Sequence, residues 1–267
     1  MIVAKKSLGQ NFLRDENVAR NIVASLGLQR DDVVVEIGPG SGALTKYLVK
    51  ETQTVVGVEL DQRAAELLTD TFGSSLTLLR QDILQVDLHS LTKPHGKRLR
   101  VVGNIPYYIT SEILFHLFDQ RDAVQDATLM MQKEVAARLT ATPRTKDYGI
   151  LAVATQFHTK PELLFKVSRN SFYPKPNVDS AVVSLAFARE LPPCNIGLFT
   201  NIVRSTFGKR RKTLRNGLRY MGFGDKQLDS IGFDLTQRPE ELTLEQFLNL
   251  TSLLEPFKGS VTTHFTE

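Results

Sequence analysis

Val33-Val34-Val35-Glu36-Ile37-Gly38-Pro39-Gly40-Ser41-Gly42 is the stretch that decides the fold of this chain. A short β-branched apolar run bounded by glycines reads as a buried strand. The glycines after it allow a tight backbone turn and a close approach of ligand to main chain. Their spacing is G-x-G-x-G with Pro39 in the first variable position, not the G-x-G-x-x-G of dinucleotide-binding proteins. On its own, such a turn is also compatible with a purely structural bend.

The surrounding pattern repeats the same unit. Downstream, 54–60, 75–80, 99–104 and 127–132 read as further strands, and 43–51, 62–72, 109–118 and 135–141 as helices between or after them. Upstream, 15–27 reads as a helix that starts at Asp15 and stops at Gly27. Another apolar segment spans 150–157, and late strands are expected at 162–168 and 181–187. Strands separated by amphipathic helices imply βαβ units and a mostly parallel sheet, hence an α/β fold. The two prolines of Glu190-Leu191-Pro192-Pro193 break this pattern. Domains are therefore expected at 1–190 and 191–267. The second is all-helical, with helices at 196–207, 210–221, 225–231 and 243–254. The tail from Lys258 lacks an apolar face and is expected to fray.

Composition narrows the class. The chain has 267 residues, 42% hydrophobic and 23% charged, as in a soluble globular protein. No apolar run approaches the roughly 20 residues of a membrane span. The basic start lacks the apolar core of a signal peptide. A cytoplasmic protein without membrane association is expected. The single cysteine, Cys194, excludes an internal disulfide, and the scattered histidines predict no metal site.

Two acids strengthen the ligand reading of the glycine turn. Glu59 ends the second strand, about twenty residues beyond Gly38, where an acid can accept hydrogen bonds from both hydroxyls of a ribose. Asp82 follows the third strand, placed for an adenine amino group. After the fourth strand comes Asn104-Ile105-Pro106-Tyr107. An exocyclic adenine amine is a poor nucleophile because its lone pair is delocalised into the ring. The Asn104 side-chain oxygen and the Ile105 carbonyl can both accept its N–H groups, favouring a pyramidal nitrogen with its lone pair aimed at an electrophile. Tyr107 can stack on an extruded base, and Phe172 can close its other face or pack in the core.

Charge concentrates late in the sequence. Arg204, Lys209, Arg210, Arg211, Lys212, Arg215 and Arg219 follow one another with no acid between them. On a continuous helix Arg204, Arg211 and Arg215 would share a face, with Arg210 beside them. Without interleaved acids to form i,i+4 pairs, the cluster suits phosphate neutralisation better than a merely solvated face.

Several segments then agree in one order: Ser7-Leu8-Gly9-Gln10-Asn11-Phe12-Leu13, the glycine turn, Asn104–Tyr107, the 171–183 segment and the 207–216 segment. The glycine turn with its acids resembles the class I S-adenosylmethionine-dependent methyltransferases. All segments together resemble the small-subunit rRNA adenine N6,N6-dimethyltransferases, the KsgA/RsmA/Dim1 family. This resemblance implies a Rossmann-like seven-stranded sheet whose final strand runs antiparallel. It implies that Asn11, Leu13, Gly38, Glu59, Asp82 and Asn104 bind S-adenosylmethionine, releasing S-adenosylhomocysteine as product. Catalysis falls to Asn104, Ile105, Pro106, Tyr107 and Phe172, and RNA binding to Arg204, Lys209, Arg210, Arg211, Lys212 and Arg215. The implied reaction is dimethylation of two adjacent adenosines near the 3′ end of small-subunit rRNA in a late assembly particle, by a monomer. One departure is Tyr108, where the family more often shows Asn. The rival readings are a large-subunit rRNA methyltransferase, a non-catalytic RNA-binding factor that retains the fold, and, more distantly, a NAD-dependent oxidoreductase.

Overall fold

A computed structural model describes residue 5 and residues 9–260. Ser7 and Leu8 of the N-terminal motif, and the tail beyond 260, lie outside the described residues. The chain divides into two compact units, Met1–Ala136 with His158–Arg189, and Ala137–Phe157 with Glu190–Glu267.

The first unit begins with β1 (Phe12–Leu13) and α1 (Glu16–Ser25). The Asp15 carboxylate caps α1 by accepting from the backbone N–H groups of Asn17 and Val18, as its position before the helix predicts. Then follow β2 (Val33–Ile37), α2 (Thr45–Glu51), β3 (Thr54–Val58), α3 (Gln62–Phe72), β4 (Thr77–Leu79), α4 (Leu88–Thr92), β5 (Leu99–Asn104), α5 (Thr110–Asp119), β6 (Val124–Gln132) and α6 (Lys133–Leu139). The apolar run at 150–157 forms α7 (Ile150–His158), which falls in the second unit up to Phe157, and β7 (Thr159–Val167), β8 (Phe172–Tyr173) and β9 (Ser180–Phe187) complete the first.

Seven strands form one sheet in the order β4-β3-β2-β5-β6-β9-β7. β2, β3, β4, β5 and β6 pair in parallel, while β9, the last in the chain, runs antiparallel to both neighbours. Every residue of β2 is buried, which explains its unbroken apolar run. Consecutive strands run outward from β2 through β3 to β4, then return to β5 on the other side of β2. This reversal is the switch point beside which α/β sheets bind ligands, at the carboxyl ends of the strands.

A second ladder was not foreseen from sequence. β1 pairs antiparallel with β8, setting Phe12 opposite Tyr173 and Leu13 opposite Phe172. The Arg14 backbone N–H extends it, donating to Ser171 O at 2.8 Å.

The second unit departs from the expected boundary at 190. Residues 137–157 belong to it because Ala141, Tyr148, Ala152, Val153 and Phe157 share an apolar core with Phe199, Ile202, Leu218 and Phe247. The Tyr148 hydroxyl donates to Leu242 O at 2.8 Å. Its later helices are α8 (Ile196–Gly208), α9 (Leu214–Tyr220), α10 (Asp225–Ser230) and α11 (Leu244–Leu254). Gly217 lets α9 approach α8 closely, since a Cβ there would lie 2.9 Å from Thr206 Cα. Among the described residues, no helix is long and apolar enough to cross a membrane.

Candidate functional site

At the switch point lies an open cleft of about 1000 Å³, counted out to solvent. Its walls come from the segments that follow β2, β3, β4 and β5, and from the N-terminal segment Gly9–Leu13. Asn11, Leu13, Gly38, Glu59, Asp82, Asn104, Ile105, Pro106 and Tyr107 all line this one cleft.

Gly38 has φ +61° and Gly42 φ +79°, values that L side chains rarely adopt. The space around them differs. A Cβ on Gly38 would meet nothing within 4 Å, whereas one on Gly42 would lie 2.7 Å from Phe72 Cε2. Gly38 thus leaves room on the cleft side, and Gly42 serves the packing of the turn.

Glu59 is buried although polar, and it is held firmly. Its carboxylate accepts from Gly40 N–H at 2.9 Å and from Asp61 N–H at 2.8 Å. Burial raises its pKa, and these backbone donors oppose the rise. Glu36, also on the cleft wall, is buried more completely. Burial pushes its carboxyl up to about 8, with Thr45 Oγ1 donating to it at 2.6 Å. Asp82 caps the short turn Ile83–Gln85 by accepting from Leu84 N–H at 3.0 Å, and its second oxygen has no such role in the turn. Three carboxyl groups in one cleft suit a ligand rich in hydroxyl and amino groups.

Asn104 ends β5, and its amide nitrogen donates to Asn11 O at 2.9 Å. With the nitrogen so engaged, the side-chain oxygen is left as the acceptor. Tyr107 is fixed at its far end by a 2.7 Å hydrogen bond between its hydroxyl and Ser180 Oγ. Burial raises the phenol pKa, and the Ser180 hydrogen bond opposes that rise. Thr110 Oγ1 donates to both Pro106 O and Tyr107 O, stiffening the loop. Tyr108 sits on the rim, 56% exposed, against Gly9.

Phe172 is not brought to the cleft. It is 4% exposed and packs in the core with Leu13, Val167 and Val182. Strand alternation turns it inward from β8 and turns its neighbour Tyr173 outward.

Asp61 escaped the sequence reading. Its side chain accepts from Arg63 at 2.6 Å, Gln10 at 3.0 Å and Lys5 at 3.4 Å. The Arg63 guanidinium, together with Gln10 and Lys5, holds its carboxyl well below the usual carboxylate range. Gln10 lies in the segment that walls the cleft, so Asp61 ties that segment to the start of α3. The available signal was its place two residues after Glu59, at a helix start.

The basic cluster is arranged differently from its expected form. Lys209–Thr213 is a turn between α8 and α9, so no continuous helix face carries Arg204, Arg211 and Arg215. Acids distant in sequence also reach it. Arg215 pairs with Asp225 at 3.3 Å and Asp229 at 2.7 Å, and Arg219 with Asp225 at 2.6 Å. Arg210 lies 3.6 Å from Glu240 and donates to the carbonyls of Thr145 and Lys146. Lys209 sits over the Tyr220 ring. Arg204, Arg211 and Lys212 are exposed, and among the described residues no ion pair holds them.

Comparison with known proteins bears on this geometry. A sequence model described as ribosomal RNA adenine dimethylase matches residues 1–255. Ribosomal RNA small subunit methyltransferase A of Chlorobium phaeobacteroides is 46% identical over 255 residues, covering 96% of this chain and 95% of the relative. The protein of that name from Geobacillus thermodenitrificans is 41% identical, covering 94% and 91%. Among solved structures, a dimethyladenosine transferase from Plasmodium falciparum matches with TM-score 0.81 at 26% identity, covering 94% of this chain and 99% of the other. The 23S rRNA methyltransferase ErmE matches with TM-score 0.69 at 28% identity, covering 92% and 100%.

Proposed function

This chain belongs to the ribosomal RNA adenine dimethylase family, and on that footing we propose that it dimethylates the N6 amines of two adjacent adenosines near the 3′ end of small-subunit rRNA. Membership itself makes it an rRNA adenine N6,N6-dimethyltransferase dependent on S-adenosylmethionine. The choice of the small subunit rests on identity: 46% and 41% to relatives named for it, against 28% to the 23S enzyme. Its substrate is a late small-subunit assembly particle, which it meets in the cytoplasm as a monomer.

The cleft fits the cofactor. The vacant space beside Gly38 is a cradle that a Cβ would fill, and carboxyls line the walls. Glu59 takes the ribose hydroxyls, Asp82 the adenine amino group, and Gly38 backs the methionine portion. Asn11, Leu13 and Asn104 complete the binding set. When bound, the cofactor supplies a methyl group on a sulfonium centre that leaves readily.

The chain's own task is positioning. Asn104 Oδ1 and the Ile105 carbonyl accept the two N–H groups of the target amine, and Pro106 shapes the loop that carries them. Tyr107, its hydroxyl pinned by Ser180, presents its ring to the extruded base. The observation that carries this reading is the Asn104–Asn11 hydrogen bond, which leaves an oxygen as the free acceptor in the cleft. In the second unit, Arg204, Lys209, Arg211 and Lys212 neutralise rRNA phosphates, while Arg210 and Arg215 do so less because acids hold them. Offering the enzyme small-subunit and large-subunit precursors with labelled cofactor tests the substrate. Transfer to the small-subunit species is expected, and transfer confined to the large-subunit species overturns the proposal.

A further inference from the structure

We propose that Tyr173, backed by Arg14, is a stacking site for the nucleotide that flanks the target adenosine, an inference that rests on the RNA-methylating reading above. The β1–β8 ladder carries the argument. Directly opposed residues of an antiparallel pair project to the same face, and successive residues to opposite faces. Leu13 and Phe172 form one opposed pair, both buried in the core. Phe12 and Tyr173 form the other and therefore share the opposite face. Phe12 walls the cleft, close to Gly40. Tyr173 stands beside it, 53% exposed.

Arg14, two residues after Phe12, points to this same face and lays its guanidinium 3.9 Å from the centroid of the Tyr173 ring. A cation on one side of the ring fixes its orientation and leaves the other side as a flat platform. A large exposed aromatic beside a nucleotide cleft, with positive charge behind it, is the combination that holds single-stranded nucleic acid: a π-face for a base and a cation near its phosphate. The target adenine enters the cleft past Asn104 and Tyr107, so the base next to it in the strand remains outside, at the level of this ladder. Tyr173 thus performs at the rim the stacking that the buried Phe172 does not offer.

Two measurements test the site. In steady-state methylation of unmethylated small subunits, Tyr173→Ala is expected to raise KM for the subunit about tenfold. It should leave kcat, KM for S-adenosylmethionine and the melting temperature unchanged, while Tyr173→Phe stays within about twofold of the parent. In the second, single-stranded RNA oligonucleotides carry 2-aminopurine either at or beside a central adenosine position. Quenching of the flanking probe is expected with the parent protein and is lost with Tyr173→Ala. Equal KM values for the Ala and Phe variants overturn the proposal, as does a rise in the cofactor KM for Tyr173→Ala or Tyr173-dependent quenching at the target position alone. If the parent protein transfers no methyl to the subunit yet quenches the flanking probe through Tyr173, the substrate reading falls and the stacking site stands.

Discussion

Asn104 and Asn11 lie 93 positions apart and are joined by a 2.9 Å hydrogen bond from the Asn104 amide nitrogen to the Asn11 carbonyl. The bond links the end of the central strand β5 to the N-terminal segment that walls the cleft. It determines which end of the Asn104 amide faces the cleft, so Asn11 orients the oxygen that we propose as the acceptor for the target amine.

Asn104→Ala is therefore expected to reduce the single-turnover methylation rate by about two to three orders of magnitude, the scale of losing one preorganised hydrogen-bonding group. Its melting temperature should stay near that of the parent, because Asn104 is only half-buried. Asn104→Asp should be nearly as slow, since the Asn11 carbonyl then faces an oxygen without a donor. Near-parental rates for either variant would remove the role assigned to Asn104.

The two positive-φ glycines separate stability from binding. Gly42→Ala forces a side chain into a left-handed conformation and against Phe72, so it should cost at least about 2 kcal/mol in urea denaturation. Gly38→Ala carries the same backbone penalty but points its methyl into the cleft. Its distinguishing effect should be a weakening of S-adenosylmethionine binding by about tenfold or more, read by calorimetry. Parental affinity in Gly38→Ala would show that the cofactor does not approach this turn.

Glu36 makes stability depend on pH. Burial raises its carboxyl from 4.5 to about 8. A group whose folded pKa lies above its unfolded value contributes stability that is complete below the unfolded pKa and lost as pH rises through the folded one. The ligand-free protein should accordingly lose stability from this residue between pH 4.5 and about 8. Glu36→Gln keeps an acceptor for Thr45 Oγ1 and should flatten that slope in urea midpoints measured across the range. Parallel slopes for the two proteins would count against a neutral, buried Glu36.

In the basic turn, Arg211→Ala and Lys212→Ala should each weaken RNA binding and lower the slope of log affinity against log salt by about 1. Arg215→Ala should lower the slope less, because Asp225 and Asp229 already hold that guanidinium. Equal slopes for all three variants and the parent would mean that the turn does not meet phosphate.

What the sequence disclosed follows from where each signal resides. β2 and the place of Glu59 and Asp82 on the cleft wall were legible, β2 because a buried parallel strand is an unbroken apolar run, and the two acids because they follow the carboxyl ends of β3 and β4. The β1–β8 ladder was not, since two-residue strands show no period, and their inward and outward faces depend on a partner far along the chain. From sequence Phe172 can either close on a base or pack in the core; the ladder puts it in the core and turns Tyr173 outward. The segment 150–157 was apolar without periodicity, so neither its helical form nor its place in the second unit could be read. The basic cluster looked free of acids because Asp225, Asp229 and Glu240 approach it only in the folded chain.

The central claim is that this chain dimethylates adenosines of small-subunit rRNA through Asn104. Mass spectrometry of nucleosides and oligonucleotides from unmethylated small subunits, incubated with the protein and S-adenosylmethionine, tests it most directly. The predicted result is N6,N6-dimethyladenosine at two adjacent positions near the 3′ end of the rRNA, and almost none with Asn104→Ala. Methylation of a different base, or an undiminished yield from the Asn104→Ala protein, would contradict it.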